Sequence, residues 1–234
     1  REERLTGPDL PRKLFGERLY LSPTQVETYY QCPFQYFCRY GLNAKERKTA
    51  EVDALQYGTL MHYLFQKVFQ EPAEDRALWS DSELEARVQE LIRAYAQENL
   101  GGMDLLNAQE KYRLRRLSQS ACKLIRHVEE ELAQSRFVPE RLEWGLGTGR
   151  DAPPLRIPTR RGVVTVGGTI DRVDVYTDML GRRYVRVIDY KTGRRSFRLG
   201  DVLWGLNMQM LVYLAALVES GEGTAAGVLY MPAA

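Results

Sequence analysis

A strand pattern that ends in two charged residues constrains this chain more than any other feature. Apolar and polar residues alternate from Tyr184 to Lys191, so a β-strand there places one set of side chains on a common face: Val185, Val187, Asp189 and Lys191. If the valines are buried, the acid and the base lie at the edge of the core, where an isolated charge is costly. Two arrangements avoid that cost. Asp189 and Lys191 can form a structural ion pair, or Asp189 can hold a divalent metal while Lys191 faces a negatively charged substrate.

A second strand pattern, from Val164 to Asp174, also carries an acid toward its end, Asp171, which lies 18 residues before Asp189. The segment between the two patterns contains Asp178 and Gly181, which are typical of a hairpin loop. Antiparallel pairing then brings Asp171 beside Asp189, provided that the two strands overlap suitably. Because neighbouring carboxylates repel unless a cation lies between them, a hard divalent ion such as Mg²⁺ is the natural partner.

Four motifs occur in a fixed order along the chain. They are GTLMH at 58–62, GTIDRVD at 168–174, IDYKTG at 188–193 and QMLVY at 209–213. Together they resemble the PD-(D/E)XK nuclease superfamily in its RecB-like branch, in which the first is a G-x-x-x-H motif and the last a Q-x-x-x-Y motif. The resemblance extends from about Leu21 to Tyr230. It implies an α/β (α+β) fold with a restriction-endonuclease-like core, a mixed central sheet flanked by helices, and a helical insertion.

The resemblance implies a metal-dependent DNA nuclease, expected to be an exonuclease, inside a helicase-nuclease that acts in double-strand break repair and recombination. Asp171 and Asp189 are then the main ligands of Mg²⁺ or Mn²⁺, and His62 and the backbone carbonyl of Tyr190 complete the protein ligands. Lys191 orients or deprotonates the attacking water, or stabilises charge on phosphorus. Two alternatives remain open: a catalytically silent DNA-binding or structural module of such a complex, and a nuclease of the CRISPR-adaptation type.

For other polar residues the sequence leaves two roles open. Gln209 and Tyr213 are four residues apart and share one helix face, so they form either a buried polar pair or, as the resemblance implies, a pair that reaches the active site. Glu143 occupies a position where the family often has an acid, and it is either a supporting polar contact or an exposed charge. Three arginines follow the IDYKTG motif and can bind phosphates or form a solvated loop: Arg194, Arg195 and Arg198.

The chain has three cysteines, which give no even disulfide framework and indicate a reducing compartment. The segment from Cys32 to Leu42 resembles the opening of the nuclease domain in the AddB family, where this first cysteine and three cysteines beyond the nuclease core hold a [4Fe-4S] cluster. The resemblance implies that Cys32 is a cluster ligand in a longer parent protein that pairs with an AddA-like subunit. Since four thiolates are normally needed and Cys38 cannot supply the others, no cluster is expected in this chain alone. Without the resemblance, Cys32 reads as a core cysteine at a helix end.

Composition excludes few functions. The residues are 44% hydrophobic and 27% charged, as in an ordinary soluble protein, and the net charge of +2 is too small to indicate nucleic-acid binding by itself. No apolar run approaches the ~18 residues of a membrane span, so no membrane partner is expected and the cytoplasm is the expected location. Because the chain begins with Arg1 and stops abruptly at Ala234, it reads as a fragment of a longer polypeptide.

The expected organisation is an arm or linker over residues 1–20 and a single nuclease domain over 21–234. Within that domain, residues 21–140 are mainly helical and 141–234 form a β-β-β-α-β core. Capping boxes at Ser22 and Ser80 predict two helix starts. Apolar spacing predicts further helices over residues 53–70, 105–135 and 199–219.

Overall fold

The computed structural model describes residues 7, 9–16, 19–44, 54–160, 162–191 and 199–232. The chain forms two compact units, each made from several stretches of sequence. The first unit comprises residues 1–49, 145–169 and 196–225, and the second comprises residues 50–144, 170–195 and 226–234. The expected division into an arm over 1–20 and one domain over 21–234 stays a prediction.

Nine helices and seven strands occur among the described residues. The helices are α1 (Leu10–Phe15), α2 (Pro23–Gln31), α3 (Pro33–Tyr36), α4 (Ala54–Phe69), α5 (Ala73–Ala77), α6 (Asp81–Asn99), α7 (Ala108–Ala133), α8 (Leu199–Val202) and α9 (Gln209–Glu219). The strands are β1 (Tyr20–Leu21), β2 (Val138–Leu146), β3 (Leu155–Thr159), β4 (Gly162–Val166), β5 (Gly168–Thr177), β6 (Arg183–Lys191) and β7 (Thr224–Pro232). A π-helical turn at Phe37–Gly41 follows α3, and a 3-10 turn at Met103–Leu105 precedes α7.

The strands form two sheets. The smaller sheet has the order β1-β4-β3 and is mixed, because β1 runs parallel to β4 and β3 runs antiparallel to it. The larger sheet has the order β2-β5-β6-β7, and β5 and β6 form an antiparallel hairpin. The sheets and helices together confirm the predicted mixed α/β class. Strands β2, β5 and β6, helix α9 and strand β7 run in the predicted β-β-β-α-β order, with β3, β4 and α8 as additional elements between them.

The strand predicted from Val164 to Asp174 proves to be two strands, so this prediction was wrong in one respect. Strand β4 ends at Val166 and β5 begins at Gly168. The residue between them, Gly167, donates its backbone N–H to the Leu21 carbonyl at 3.0 Å. A Cβ at Gly167 would collide with the Tyr20 hydroxyl and would lie 2.6 Å from the Leu146 carbonyl oxygen. Only glycine fits this crowded position, and the alternation of side chains cannot show such crowding.

Helices α4, α6 and α7 build the core of the second unit. Their apolar residues recur every three or four positions, which gives each helix one buried face. The predicted stripe on α4 is confirmed, because Leu60, Leu64 and Val68 are all buried. The same core includes Ile188 and Tyr190 of β6. The strand that carries the candidate site is therefore anchored from its opposite face.

The two predicted helix starts agree with the structure, whereas one predicted helix does not. The capping boxes at Ser22 and Ser80 are both present. The predicted helix over 199–219 was wrong, because α8 ends at Val202 and α9 begins at Gln209. Gly205 and Asn207 have left-handed backbone angles, with φ of 76° and 55°. The Asp201 carbonyl accepts hydrogen bonds from the N–H groups of residues 204 and 206, which closes the turn.

No helix in the described ranges combines the length and the apolar composition that a membrane crossing requires.

Candidate metal centre

The β5–β6 hairpin brings two acidic residues together in the second unit. Arg172 pairs with Ile188 in the antiparallel register, and Asp171 and Asp189 are the next residues along their strands. The Asp171 and Asp189 side chains are only 9% and 4% exposed. The overlap that the sequence left open is therefore present. Two nearly buried carboxylates lie at the end of the hairpin, where their negative charges need compensation.

His62 joins this pair from helix α4. Its Nδ1 lies 3.3 Å from Asp171 Oδ1 and 3.3 Å from Glu143 Oε1. The imidazole ring also meets the ring of Tyr190 edge to face, with 6.3 Å between centroids. The histidine of the GTLMH motif is thus held between two acids, and one of its ring nitrogens points at both.

Glu143 reaches His62 because its backbone is unusual. It lies within β2 but has a φ of 50°, a left-handed angle that glutamate rarely adopts. Such angles persist where the surrounding structure holds them, and they are common at functional sites. Of the two readings that the sequence left open for Glu143, the structure supports the polar contact. Glu143 was not among the predicted ligands, and the only sequence signal for it was the loose family position.

Three side chains at this place have the chemistry of a metal site. One nitrogen of His62 and one oxygen each of Glu143 and Asp171 lie within 4.8 Å of one another. Carboxylate oxygens suit Mg²⁺ and Mn²⁺, and an imidazole nitrogen suits divalent first-row transition metals. The donor set therefore fits a divalent cation. Asp189 is close enough for its pKa to respond to the charge of Asp171.

Lys191 lies against Asp189 on the same strand face. Its Nζ is 3.0 Å from Asp189 Oδ1 and 2.7 Å from Oδ2, and the lysine side chain is 25% exposed. The ion pair that the strand alternation suggested is therefore present. Because the ammonium group keeps partial access to solvent, it is also available to an anionic substrate.

The three carboxylates shift the pKa values of their neighbours. Burial lowers the pKa of His62, but hydrogen bonds to Asp171 and Glu143 and the charges of both acids outweigh it and raise the pKa to about 10. Burial and the nearby charge of Asp171 raise the pKa of Asp189 to about 6, against the opposing effects of Lys191 and His62. At neutral pH the imidazolium of His62 and the ammonium of Lys191 therefore neutralise part of the negative charge of the carboxylates. A bound metal cation would neutralise the same charge.

Several predicted residues belong to the first unit or fall outside the described residues. Gln209 and Tyr213 are on α9 in the first unit, where the Tyr213 hydroxyl packs closely against Gly168. Cys32, also in the first unit, is partly exposed and caps α3, with its Sγ accepting a hydrogen bond from the Gln35 N–H at 3.4 Å. The roles of these three residues at an active site or a cluster stay predictions. Residues 192–198, which include Arg194, Arg195 and Arg198, lie outside the described part of the chain.

Comparison with known proteins adds an independent finding. A family model described as the PD-(D/E)XK nuclease superfamily matches residues 20–233. An ATP-dependent helicase/deoxyribonuclease subunit from Clostridium novyi (strain NT) is 36% identical over 230 residues, which are 94% of this chain and 20% of that protein. The subunit of the same name from Symbiobacterium thermophilum is 35% identical over 237 residues, which are 97% of this chain and 20% of that protein. The chain thus spans about one fifth of the length of these relatives.

Proposed function

Because this chain belongs to the PD-(D/E)XK nuclease superfamily, we propose that it hydrolyses DNA phosphodiester bonds, with a divalent cation, as the nuclease part of an ATP-dependent helicase/deoxyribonuclease. The observation that carries this proposal is the arrangement of His62, Glu143 and Asp171 within 4.8 Å of one another. Beside it, Asp189 holds the ammonium of Lys191. Acids, imidazole and lysine together form a set that suits phosphoryl chemistry.

The side chains at this site fit Mg²⁺ or Mn²⁺. His62, Asp171 and Asp189 and the backbone carbonyl of Tyr190 would hold the ion, and Glu143 joins them through its contact with His62. When bound, a divalent cation supplies positive charge that stabilises the phosphoryl oxygens and makes water more acidic. His62 must lose a proton before it can bind the ion. In the metal-free protein its Nδ1 contacts two carboxylates, which favour the protonated imidazole.

Lys191 is the residue that faces the substrate. The ammonium donates a hydrogen bond to Asp189 Oδ1 and forms an ion pair with the same carboxylate, so little conformational freedom is lost when DNA arrives. The ammonium orients the attacking water or neutralises the negative charge that develops on the phosphoryl group. Hydrolysis then breaks one phosphorus–oxygen bond, with the water oxygen bonded to phosphorus and a proton passed to the leaving oxygen.

The wider context is proposed from the relatives, whose printed name is a helicase/deoxyribonuclease subunit. We infer double-strand break repair and recombination in the cytoplasm as the setting, with an AddA-like subunit as partner. Gln209 and Tyr213 would steady Lys191 or contact the DNA backbone. As the family resemblance implies, Cys32 would supply one of the four thiolate ligands of a [4Fe-4S] cluster, and three cysteines elsewhere in the parent protein would supply the rest.

A cleavage assay with a matched lysine variant tests the proposal. Plasmid and single-stranded DNA are incubated with the chain in Mg²⁺, Mn²⁺ or EDTA, and wild type is compared with Lys191→Ala and Lys123→Ala. Lys123 is exposed on α7 and serves as the control. We expect metal-dependent cutting that falls at least ~100-fold in Lys191→Ala only, the scale of losing one electrostatic group. A folded wild type that cuts with neither metal would instead favour a silent DNA-binding module.

A further inference from the structure

A buried arginine is the direct sequence neighbour of Asp171 at the candidate metal centre. Arg172 follows Asp171, so its side chain leaves β5 on the opposite face. It is fully buried, with 0% of the side chain exposed. Its Nε donates to Asp174 Oδ1 at 2.7 Å and its Nη2 donates to Asp174 Oδ2 at 2.9 Å. This two-point contact fixes the plane of the guanidinium.

The third donor of Arg172 reaches a residue of the candidate centre. Its Nη1 donates to the Tyr190 hydroxyl at 2.9 Å. The Tyr190 ring is held from another side by Phe65, which stacks on it with 4.2 Å between centroids and 14° between planes. A hydrogen bond and a stacked ring therefore fix the side chain of Tyr190, which is 2% exposed.

Two outer residues complete the charge balance of this buried group. Asp174 also accepts a hydrogen bond from Arg186 Nε at 3.0 Å, and Arg186 Nη1 lies 2.8 Å from Glu131 Oε1 on α7. Two arginines thus face two acids. Buried ion pairs add little stability compared with well-packed apolar residues, because desolvation offsets their attraction. Such a buried ion-pair group instead fixes the positions of the side chains around it. Here it fixes the position of the Tyr190 side chain.

The backbone of Tyr190 connects this buried group to the metal centre. Its N–H donates to Asp171 Oδ2 at 2.8 Å. The other oxygen of Asp171 faces His62 Nδ1 at 3.3 Å. The Tyr190 N–H therefore holds Oδ2 of Asp171, and Oδ1 is left facing the imidazole of His62. A displacement of Tyr190 would turn the carboxylate away from the position it shares with His62.

We propose that Arg172 and the Tyr190 hydroxyl act as a positioning pair that sets the orientation of the Asp171 carboxylate for metal binding. This inference rests on the proposed function. Neither side chain touches the metal or the DNA; both act through the Tyr190 backbone. Residues that orient metal ligands in this way typically contribute 10–100-fold to metal affinity or activity. The same range is expected here.

Tyr190→Phe is the direct test, because it removes one hydroxyl and keeps the ring and the backbone. Tyr176→Phe is its matched control: that hydroxyl, on the neighbouring strand, also accepts a hydrogen bond from an arginine, Arg136, at 3.4 Å. Mn²⁺ affinity is measured by calorimetry on the metal-free chains, and kcat and KM are measured for DNA cleavage. We expect Tyr190→Phe to weaken Mn²⁺ binding ~10–100-fold and to lower kcat, with KM for DNA unchanged. Tyr176→Phe should match wild type.

Arg172→Lys is a second variant that keeps the positive charge but cannot serve both Asp174 and Tyr190. It should also weaken Mn²⁺ binding, so it tests the proposal even if Tyr190→Phe fails to fold. If folded Tyr190→Phe and Arg172→Lys have lower melting temperatures but wild-type Mn²⁺ affinity and kcat, the pair is structural only and the inference is overturned. If wild type itself neither binds Mn²⁺ nor cuts DNA, the proposed function fails instead.

Discussion

The Nζ of Lys191 lies 2.7 Å from Oδ2 of Asp189, an acid whose pKa burial and the charge of Asp171 raise to about 6. Lysine and acid are two residues apart on β6, and the strand period places them on the same face. The pairing holds the Lys191 ammonium beside the candidate metal centre, but it does not fully offset the free-energy cost of burying the Asp189 charge. Function and stability therefore oppose each other at Asp189.

Replacement of Asp189 by asparagine should stabilise the metal-free protein while it abolishes cleavage. An acid whose pKa is raised in the folded state stabilises the fold below its unfolded pKa of 3.8, and this stabilisation is lost as pH rises through about 6. An asparagine side chain carries no charge at any pH, so Asp189→Asn should exceed wild type in stability above pH 6. We expect a melting temperature higher by about 2–4 °C at pH 7.5, and little difference at pH 4. A lower melting temperature in the variant at pH 7.5 would contradict this.

Binding of Mn²⁺ should release a proton from His62. The pKa of His62 is about 10 in the metal-free protein, because the hydrogen bonds to Asp171 and Glu143 outweigh the effect of burial. A protonated imidazole cannot bind metal, so affinity should rise with pH up to about 10 and about one proton should leave per ion at pH 7.5. Calorimetry in two buffers of different ionisation enthalpy measures this number.

The second histidine provides the control for that measurement. The chain contains two histidines, and His127 lies exposed on α7. His127→Ala should release the same number of protons as wild type on binding Mn²⁺. His62→Ala should bind more weakly and release fewer. Equal proton release by both variants would show that His62 is not the group that titrates.

Glu143 should respond differently to alanine and to glycine. Both substitutions remove the carboxylate that faces His62, so both should weaken Mn²⁺ binding to a similar degree. At a φ of 50°, however, alanine keeps the left-handed strain and glycine relieves it, a difference of about 1–2 kcal/mol. Glu143→Gly should therefore be the more stable variant by about 1 kcal/mol in urea unfolding. Equal stability of the two variants would mean that the backbone angle carries no strain.

Gly168 and Tyr213 should show a strong coupling. A Cβ at Gly168 would collide with the Tyr213 hydroxyl and would lie 3.1 Å from Tyr213 Cζ. Gly168→Ala should lower the free energy of unfolding by about 1–3 kcal/mol, the usual cost of overpacking. Adding Tyr213→Phe removes the colliding oxygen and should restore part of the loss, which a double-mutant cycle measures. Gly227→Ala, at a position with nothing within 4 Å, is the control.

The sequence predicted those parts of the site that depend on local geometry. Because the strand period is fixed by the backbone, Asp189 and Lys191 were expected on one face, and their ion pair agrees. The approach of Asp171 to Asp189 depended on a short hairpin, whose loop residues were recognisable. His62 is far away in sequence, so only the family resemblance placed it near the acids.

The remaining features depend on interactions that a pattern of residues does not encode. Glutamate is not typical of left-handed backbone, so only the loose family position singled out Glu143, and no residue pattern predicted its contact with His62. The helix predicted over 199–219 is interrupted at Gly205 and Asn207, although the apolar pattern continues through the break. No sequence pattern predicts that Arg172 is buried; its burial is explained by the hydroxyl of Tyr190 and the carboxylate of Asp174, which accept its hydrogen bonds.

The interleaved composition of the two units affects how the chain can be made and cut. The first unit needs residues from both 1–49 and 196–225, and the second needs residues from both 50–144 and 226–234. The first unit is incomplete until residues 196–225 have been synthesised and the second until β7 has, so neither should acquire protease resistance before then. A single truncation does not separate the units cleanly: removal of residues 1–49 keeps all of the second unit but also leaves residues 145–169 and 196–225 of the first. A screen for smaller soluble versions should therefore delete internal loops and leave both ends in place.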